Sequence, residues 1–493
     1  MTDSETIISK ITGGRQPDRS VDLRASLFYS LKEDPFGLWC RYHAPPSEAI
    51  EERSGYSLMK SELVHTMRSN WIKENFPEAM DTKPLSGLEG LKYTVKAMLD
   101  GVPAIIHAVL WNLPDNTYGT AALIVRDDTH HSDLGAFHYR VIDFKSASDI
   151  KPQHELQGAL YNRMLGNIQG YTPERFTIIL RNFAEVTLNY ETVSARLDET
   201  LKLWRSIRDG SFIPEPGRPP LAALPPWRKF ANDYAFQKKE LVLIPGMGPE
   251  NRNKLRQNGL TDTDLVLKAG KEKLCEILDK QPGLDAYGSA FSYSTNSPVL
   301  REGRSYQITR AERNLYFDFE TSDDMNPDQP PHTYLIGLWD LEQNKYVYFL
   351  ARGAEEEKKI FSSFLEYAGD LSNTKLYHWT DYEIRQTRGF GKKYPELSEG
   401  FEKLISSCVD IKDIVKKSFY VPAPSFSLKA VAPAIGFHWR QKDVGAMESM
   451  IYYWDWLKDN NNTEALDKVL KYNEDDCLAM VHIDQYLTLK FPA

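Results

Sequence analysis

The stretch Asn314-Leu315-Tyr316-Phe317-Asp318-Phe319-Glu320-Thr321 constrains this chain more than any other. Large apolar and aromatic side chains at 315, 316, 317 and 319 read as a buried strand. A strand's period of two sets Asp318 and Glu320 on one face. Two like charges on one face of a core strand are costly unless a cation neutralises them. Such a pair can hold two divalent ions about 4 Å apart, which stabilise the attacking and leaving oxygens of a phosphodiester. An isolated D-x-E fits a solvated strand end equally well, so the weight falls on acidic motifs elsewhere in the chain.

With 493 residues the chain exceeds one ordinary core, and about three domains are expected. No run of about 18 apolar residues occurs, so neither a transmembrane helix nor a membrane partner is expected. The acidic start Met1-Thr2-Asp3-Ser4-Glu5 lacks the regions of a signal peptide. Cys40, Cys275, Cys408 and Cys477 lie far apart without C-x-x-C spacing. That usage points to a reducing compartment, the cytoplasm, and speaks against disulfides, a zinc ribbon or an iron–sulfur cluster. A net charge of -9 argues against an undifferentiated nucleic-acid coat. It leaves room for a nuclease with acidic metal sites and a local basic patch.

In the N-terminal third, Ser61-Glu62-Leu63-Val64-His65 opens a helix, and strands are expected at 102–110, 121–126 and 137–145. The last strand ends in Asp143-Phe144-Lys145, a carboxylate and an ammonium on one face. Twelve residues on, Gln157 and Tyr161 stand at i, i+4 on one helix face. Here the chain resembles the RecB-type PD-(D/E)xK nucleases, in which D-x-K is followed by Q-x-x-x-Y and preceded by G-x-x-x-H and an acidic strand. The resemblance implies a restriction-endonuclease-like α/β domain. It makes His65 and Asp143 metal ligands and Lys145, Gln157 and Tyr161 site residues, with Ser61 where the family usually has glycine. Gly119-Thr120-Ala121-Ala122 departs from the family's G-x-x-D, with Ala122 at the aspartate position. Loss of that carboxylate would largely silence cleavage. Natural decay of the site and a deliberate substitution both account for it, and the survival of Asp143, Lys145, Gln157 and Tyr161 favours the substitution.

Six prolines between Pro214 and Pro226 mark a semi-rigid boundary. Beyond it, Ile244-Pro245-Gly246-Met247-Gly248-Pro249 leads into a helix carrying Arg252, Lys254 and Arg256, and Asn258-Gly259-Leu260 ends it. A tight Gly-x-Gly turn at a helix N-terminus exposes backbone N–H groups to phosphate. The segment resembles a helix-hairpin-helix module, which grips the nucleic-acid backbone without reading sequence. Gly246, Gly248, Arg252, Lys254 and Arg256 are its candidate contacts; packing between domains is the alternative.

After Asp318, strands are expected at 333–339, 345–350 and 375–379, with a helix at 355–367, the opening of a ribonuclease-H-like α/β sheet. Asp381 and Glu383 follow at a strand-to-helix junction, and Tyr472 and Asp476 stand at i, i+4 on a late helix. This order resembles the DEDD exonucleases of the tyrosine type, which bind two metal ions with four acids and position the attacking water with the tyrosine. The resemblance makes Asp318, Glu320 and Asp476 metal ligands and Tyr472 the positioning phenol. His378 stands where Asn is common, and either Asp381 or Glu383 completes the set. Asp475 reads as a solvent-facing neighbour, Lys429 as an exposed lysine with a phosphate contact the alternative, and Trp454-Asp455-Trp456-Leu457 as a core helix face with base stacking the alternative.

The expected architecture is thus α/β multidomain: a RecB-like domain at 1–213, a linker at 214–234, a helix-hairpin-helix at 235–300 and a ribonuclease-H-like DEDD domain at 308–493. The expected function is hydrolysis of DNA, single-stranded or with a free 3′ end, 3′ to 5′ with Mg²⁺ or Mn²⁺. A nucleic-acid-binding adaptor with inactive nuclease folds, or a ribonuclease, is the alternative.

Overall fold

The computed structural model describes residues 4–13, 23–51, 55–82, 85, 87–113, 115–323, 330–441 and 444–492, the side chains of 55–60 and 63 excepted. Two compact units are present. One comprises Met1–Arg53, Ser57–Gly217 and Leu221–Ala231; the other comprises Ser54–Tyr56, Arg218–Pro220 and Asn232–Ala493. No helix among the described residues is long and apolar enough to cross a membrane.

The first unit is built on seven strands among the described residues: β1 (Leu23–Arg24), β2 (Met80–Asp81), β3 (Ala104–Asn112), β4 (Thr117–Asp127), β5 (His138–Phe144), β6 (Arg175–Ile179) and β7 (Glu185–Asn189). Their order is β2-β3-β4-β5-β6-β7, with β1 beside β4. β3, β4 and β5 form an antiparallel meander, and β6 runs parallel to β5. A parallel pair needs a crossover, and the Pro152–Gln169 helix supplies it. That helix buries Leu160, Met164 and Ile168 against Val109, Ile124, Val141 and Ile178 of the sheet. The near-continuous apolar runs of β4 and β5 are what a strand covered on both faces requires. The helix expected from Ser61 spans Gly55–Asn75.

The second unit begins with helices. Pro249–Gln257 follows the Ile244–Pro249 turn. Thr263–Leu278 is broken at Gly270, whose φ of 82° no helix interior tolerates, and Lys280–Thr295 packs back upon it. Asp262 caps the middle helix, accepting from Leu265 N–H at 2.9 Å.

Then follow β8 (Val299–Leu300), β9 (Arg313–Thr321), β10 (Thr333–Asp340), β11 (Lys345–Leu350), β12 (Thr374–His378), β13 (Cys408–Asp410) and β14 (Phe419–Tyr420). The main sheet has the order β11-β10-β9-β12-β13. β9 is antiparallel to β10 and parallel to β12. β8 pairs instead with β14, outside the main sheet.

The alternation along β9 divides its two faces. Leu315, Phe317 and Phe319 join a core with Phe361, Phe364, Phe390 and Leu404 on the helices of one face. Tyr316 on the opposite face packs with Met480 and Ile483 of the Thr463–Lys490 helix. Asp318 and Glu320 share that second face, beneath the same helix.

Candidate active site

The Thr463–Lys490 helix brings Tyr472, Asn473 and Asp476 over the β9 acids. Asp318, Glu320 and Asp476 each offer an oxygen within 4.8 Å of the others, an arrangement suited to a divalent ion. Among the described residues no other set of three or more His, Cys, Asp or Glu side chains has this spacing.

Burial and mutual repulsion both oppose ionisation in this cluster. Burial, then Glu320 and Asp476, pushes the Asp318 carboxyl well above its ordinary range. Burial and Asp476 push Glu320 up to about 8. Burial raises Asp476 as well, against the lowering influence of Lys429. Carboxyls held this way by one another are paired by a divalent ion at far lower cost.

Glu383 lies in the first turn of the Tyr382–Lys393 helix and is 5% exposed. Its Oε2 accepts from Thr380 Oγ1 at 3.1 Å and lies 3.9 Å from His378 Nδ1. Burial raises its carboxyl to about 7, and its charge bears on both Asp318 and Glu320. Asp381 differs: it is exposed and pairs with Arg385 at 3.3 Å. Of the two acids left open by the sequence, Glu383 is the buried one and the one whose charge acts on Asp318 and Glu320. His378 is buried, its imidazole pulled below the ordinary range by desolvation, with Nδ1 bonded to the Thr380 carbonyl.

Sequence reasoning passed over Asn473. Fully buried, it donates to Asp318 Oδ2 at 2.9 Å and to Glu320 Oε1 at 3.4 Å. Its own oxygen accepts from the Tyr346 hydroxyl at 2.8 Å. Gly337, paired with Asp318 across β9 and β10, makes room for it: a Cβ there would lie 1.6 Å from Asn473 Oδ1. An amide between Tyr472 and Asp476 on one helix, opposite a strand glycine, is the signal that was available.

Two expectations are corrected. Asp475 is not solvent-facing: it is 2% exposed, and Arg440 donates to it from Nε at 2.7 Å and from its backbone N–H at 2.8 Å. Lys429 is not a free surface lysine. Its ammonium pairs with Asp476 Oδ1 and lies 4.1 Å from the Trp439 ring centre and 4.3 Å from that of Tyr472. Trp439 Nε1 donates to the same Asp476 oxygen at 2.6 Å. Burial and the surrounding carboxylates drive the Tyr472 phenol far upward, so its proton is retained. Trp454 and Trp456 are core, as expected.

In the first unit Lys145 Nζ lies 2.7 Å from Asp143 Oδ2 and donates to Gln157 Oε1 at 2.6 Å. Gln157 in turn donates to the Tyr161 hydroxyl at 3.2 Å. The structure therefore joins these four residues. Tyr161 packs over Gly119, where a Cβ would lie 2.5 Å from the ring. The β4–β5 register ends at the pair Leu123 and Ile142, and Ala122 and Asp143 are the residues next to that pair on the two strands. Ala122 is buried among Met67, Ile142 and Phe144.

His65 is exposed on its helix. One turn on, Arg68 bonds His107 at 3.1 Å, and the charges of Asp143 and Asp81 act on it. Asp143 is 5% exposed and Oδ2 makes no hydrogen bond, the Lys145 contact being electrostatic. One buried carboxylate without a second acid opposite does not fit a divalent ion.

In the segment 244–257, Gly246 is exposed with a φ of 74°, and no atom lies within 4 Å of a Cβ built there or at Gly248. Its bases are engaged with protein. Arg252 bonds the Met247 carbonyl, Lys254 lies 3.3 Å from Glu250, and Arg256 lies 3.8 Å from Glu240.

The family model of the RNase_H superfamily matches residues 315–488. The match spans β9 to the end of the Thr463–Lys490 helix and supports a ribonuclease-H-like C-terminal domain. No curated protein matches the chain. Five chains of solved structures match. One is the family B DNA polymerase from the hyperthermophilic archaeon Pyrobaculum calidifontis, 14% identical over 46% of this chain and 34% of that one, with a TM-score of 0.24. A likeness at that score carries no argument.

Proposed function

We propose that the second unit is a metal-dependent nuclease that removes nucleotides from the 3′ end of DNA. The observation that carries this reading is the convergence of Asp318, Glu320 and Asp476 within 4.8 Å, in a segment matching the RNase_H superfamily. Glu383 is the fourth acid of the set. Bound Mg²⁺ or Mn²⁺ would supply Lewis acidity to the scissile phosphate and acidify the attacking water.

The side chains divide the remaining work. Asp318, Glu320, Asp476 and Glu383 hold the ions. Asn473 fixes the orientation of Asp318 and Glu320, in the manner of outer-sphere groups at metal sites. Tyr472, still protonated, orients the water. The Ile244–Pro249 hairpin presents backbone N–H groups to the phosphates of the held strand.

The first unit has a RecB-like arrangement in which Asp143, Lys145, Gln157 and Tyr161 are assembled and Ala122 replaces the second acid. It is inactive as it stands and serves to hold nucleic acid. This supports the adaptor alternative for the first unit only.

Labelled single strands incubated with Mg²⁺ or Mn²⁺ test the reading. Stepwise nucleotide release by the parent, lost in Asp318→Ala, is the expected result. Equal release by the variant would move the activity elsewhere. Matched RNA and DNA oligomers separate deoxyribonuclease from ribonuclease.

A further inference from the structure

We propose that Lys429 is a tethered counter-ion of the carboxylate cluster, competing with divalent ions for Asp476 in the ion-free protein and turning to the scissile phosphate when substrate arrives. The inference rests on the metal-dependent reading above and adds a residue to it.

Four observations lead here. The Lys429 ammonium pairs with Asp476 Oδ1. Its positive charge reaches Asp318 and Glu320 as well as Asp476. The ammonium rests against the faces of Trp439 and Tyr472, 4.1 and 4.3 Å from their ring centres, contacts that favour a cation. Finally, the lysine side chain is 36% exposed, whereas that of Asp476 is 9% exposed.

A buried cluster of like charges needs a partner, and in the absence of a divalent ion a lysine on a flexible stem can serve. Asp476 Oδ1 is claimed twice, by that ammonium and by the Trp439 indole at 2.6 Å. Trp439 is packed edge-on against Phe437 and into the core around Met480, so the indole stays. Lys429, on its four-carbon stem, can leave. A divalent ion entering beside Asp476 meets the ammonium as a like charge, so the lysine weakens ion binding.

The same side chain lies over Tyr472, the group that orients the water. A phosphate brought to that point draws the ammonium by opposite charge, and negative charge developing on its oxygens strengthens the attraction. One residue therefore acts with opposite sign on two quantities: it lowers ion affinity and raises turnover.

Titration of Mn²⁺ into the full-length protein by calorimetry, alongside turnover of a labelled single strand, tests this. Asp318→Asn identifies the heat that belongs to the site. Lys429→Met is expected to bind Mn²⁺ about tenfold more tightly, since a like charge is gone, and to lose about tenfold or more in kcat. Lys429→Arg retains the charge and is expected within about threefold of the parent in Mn²⁺ affinity. Unchanged or weaker Mn²⁺ binding by a folded Lys429→Met overturns the proposal. So does equal tightening in Lys429→Arg, because charge would then not be the cause. A parent showing no Asp318-dependent Mn²⁺ heat instead overturns the metal-dependent reading itself, which keeps the two failures distinct.

Discussion

Asn473 holds Asp318 by a 2.9 Å hydrogen bond from its amide to the carboxylate Oδ2. The link joins the late helix to the central strand at the point where the ions would bind. Asn473→Leu keeps the volume and removes the donor. Nuclease activity is expected to fall about 10- to 100-fold with the fold retained, the usual effect of losing an outer-sphere partner. Steady-state kinetics with a circular-dichroism melt checks it, and undiminished kcat would dismiss the role.

Gly337 is the space that makes this bond possible. A methyl at 337 would stand 1.6 Å from Asn473 Oδ1, in a site with no room to give. Gly337→Ala should therefore lower stability by about 1–3 kcal/mol, the range for an overpacked core, and reduce activity alongside. Urea denaturation measures the first and strand cleavage the second. A variant as stable and active as the parent would contradict the packing described.

Glu383 and Asp381 give a direct comparison. Glu383 is buried at the cluster with its carboxyl raised to about 7, while Asp381 pairs with Arg385 in solvent. Glu383→Gln is expected to reduce cleavage by about two orders of magnitude or more. Asp381→Asn should stay within about twofold of the parent, as exposed ion pairs contribute little. The reverse ranking would move the fourth ligand to Asp381.

Proton uptake by the acids makes the ion-free protein sensitive to pH. The folded values of Glu320 and Glu383, about 8 and about 7, exceed those of the unfolded chain. Their favourable contribution is complete below the ordinary carboxylate range and disappears as pH rises through about 7 and then about 8. Without divalent ions, Tm should decline from pH 6 to roughly pH 9. Saturating Mn²⁺ should flatten the decline, with protons released on binding. Scanning calorimetry across that window, with and without the ion, decides it; a Tm rising with pH in the ion-free protein would contradict the electrostatics.

Ala122→Asp places a second acid on β4, the strand beside Asp143. The expected result is Mg²⁺- or Mn²⁺-dependent DNA cleavage that survives Asp318→Ala in the same chain. Gel analysis of single- and double-stranded oligomers reads it out. An inert double variant under both metals would end the RecB-like reading of the first unit.

Much of the second unit was legible because β9 alternates so regularly. Aromatic 317 and 319 against acidic 318 and 320 specify both the strand and the face the acids share. The Tyr472–Asp476 spacing likewise specifies a helical pair. Long-range partners were not legible. Asp475 looks like its neighbour Asp476 until Arg440, 35 residues earlier, is seen to hold it. Lys429 looks exposed until Asp476, Trp439 and Tyr472 surround it. Asn473 carries no charge to mark it, and its role depends on Gly337 on another strand. In the first unit the D-F-K and Q-x-x-x-Y motifs predicted residues that do meet. His65, predicted by the same motif logic, lies exposed, while Arg68 a turn later carries the charge on which Asp143 acts.

The small β8–β14 ribbon has a consequence for how this protein can be divided. Val299 and Leu300 precede the five-stranded sheet in sequence, yet they pair with Tyr420 and Phe419 far downstream. Arg301 adds bonds to the carbonyls of Lys416 and Phe419 at 3.0 and 3.3 Å and covers the Tyr420 ring. Its guanidinium also clasps Asp285 on the Lys280–Thr295 helix. A fragment starting at 308 would leave an unmated strand edge and strip the half-buried Tyr420 ring of its cover. Recombination or engineering that transplants the 315–488 portion must therefore carry the preceding helices as the same cassette.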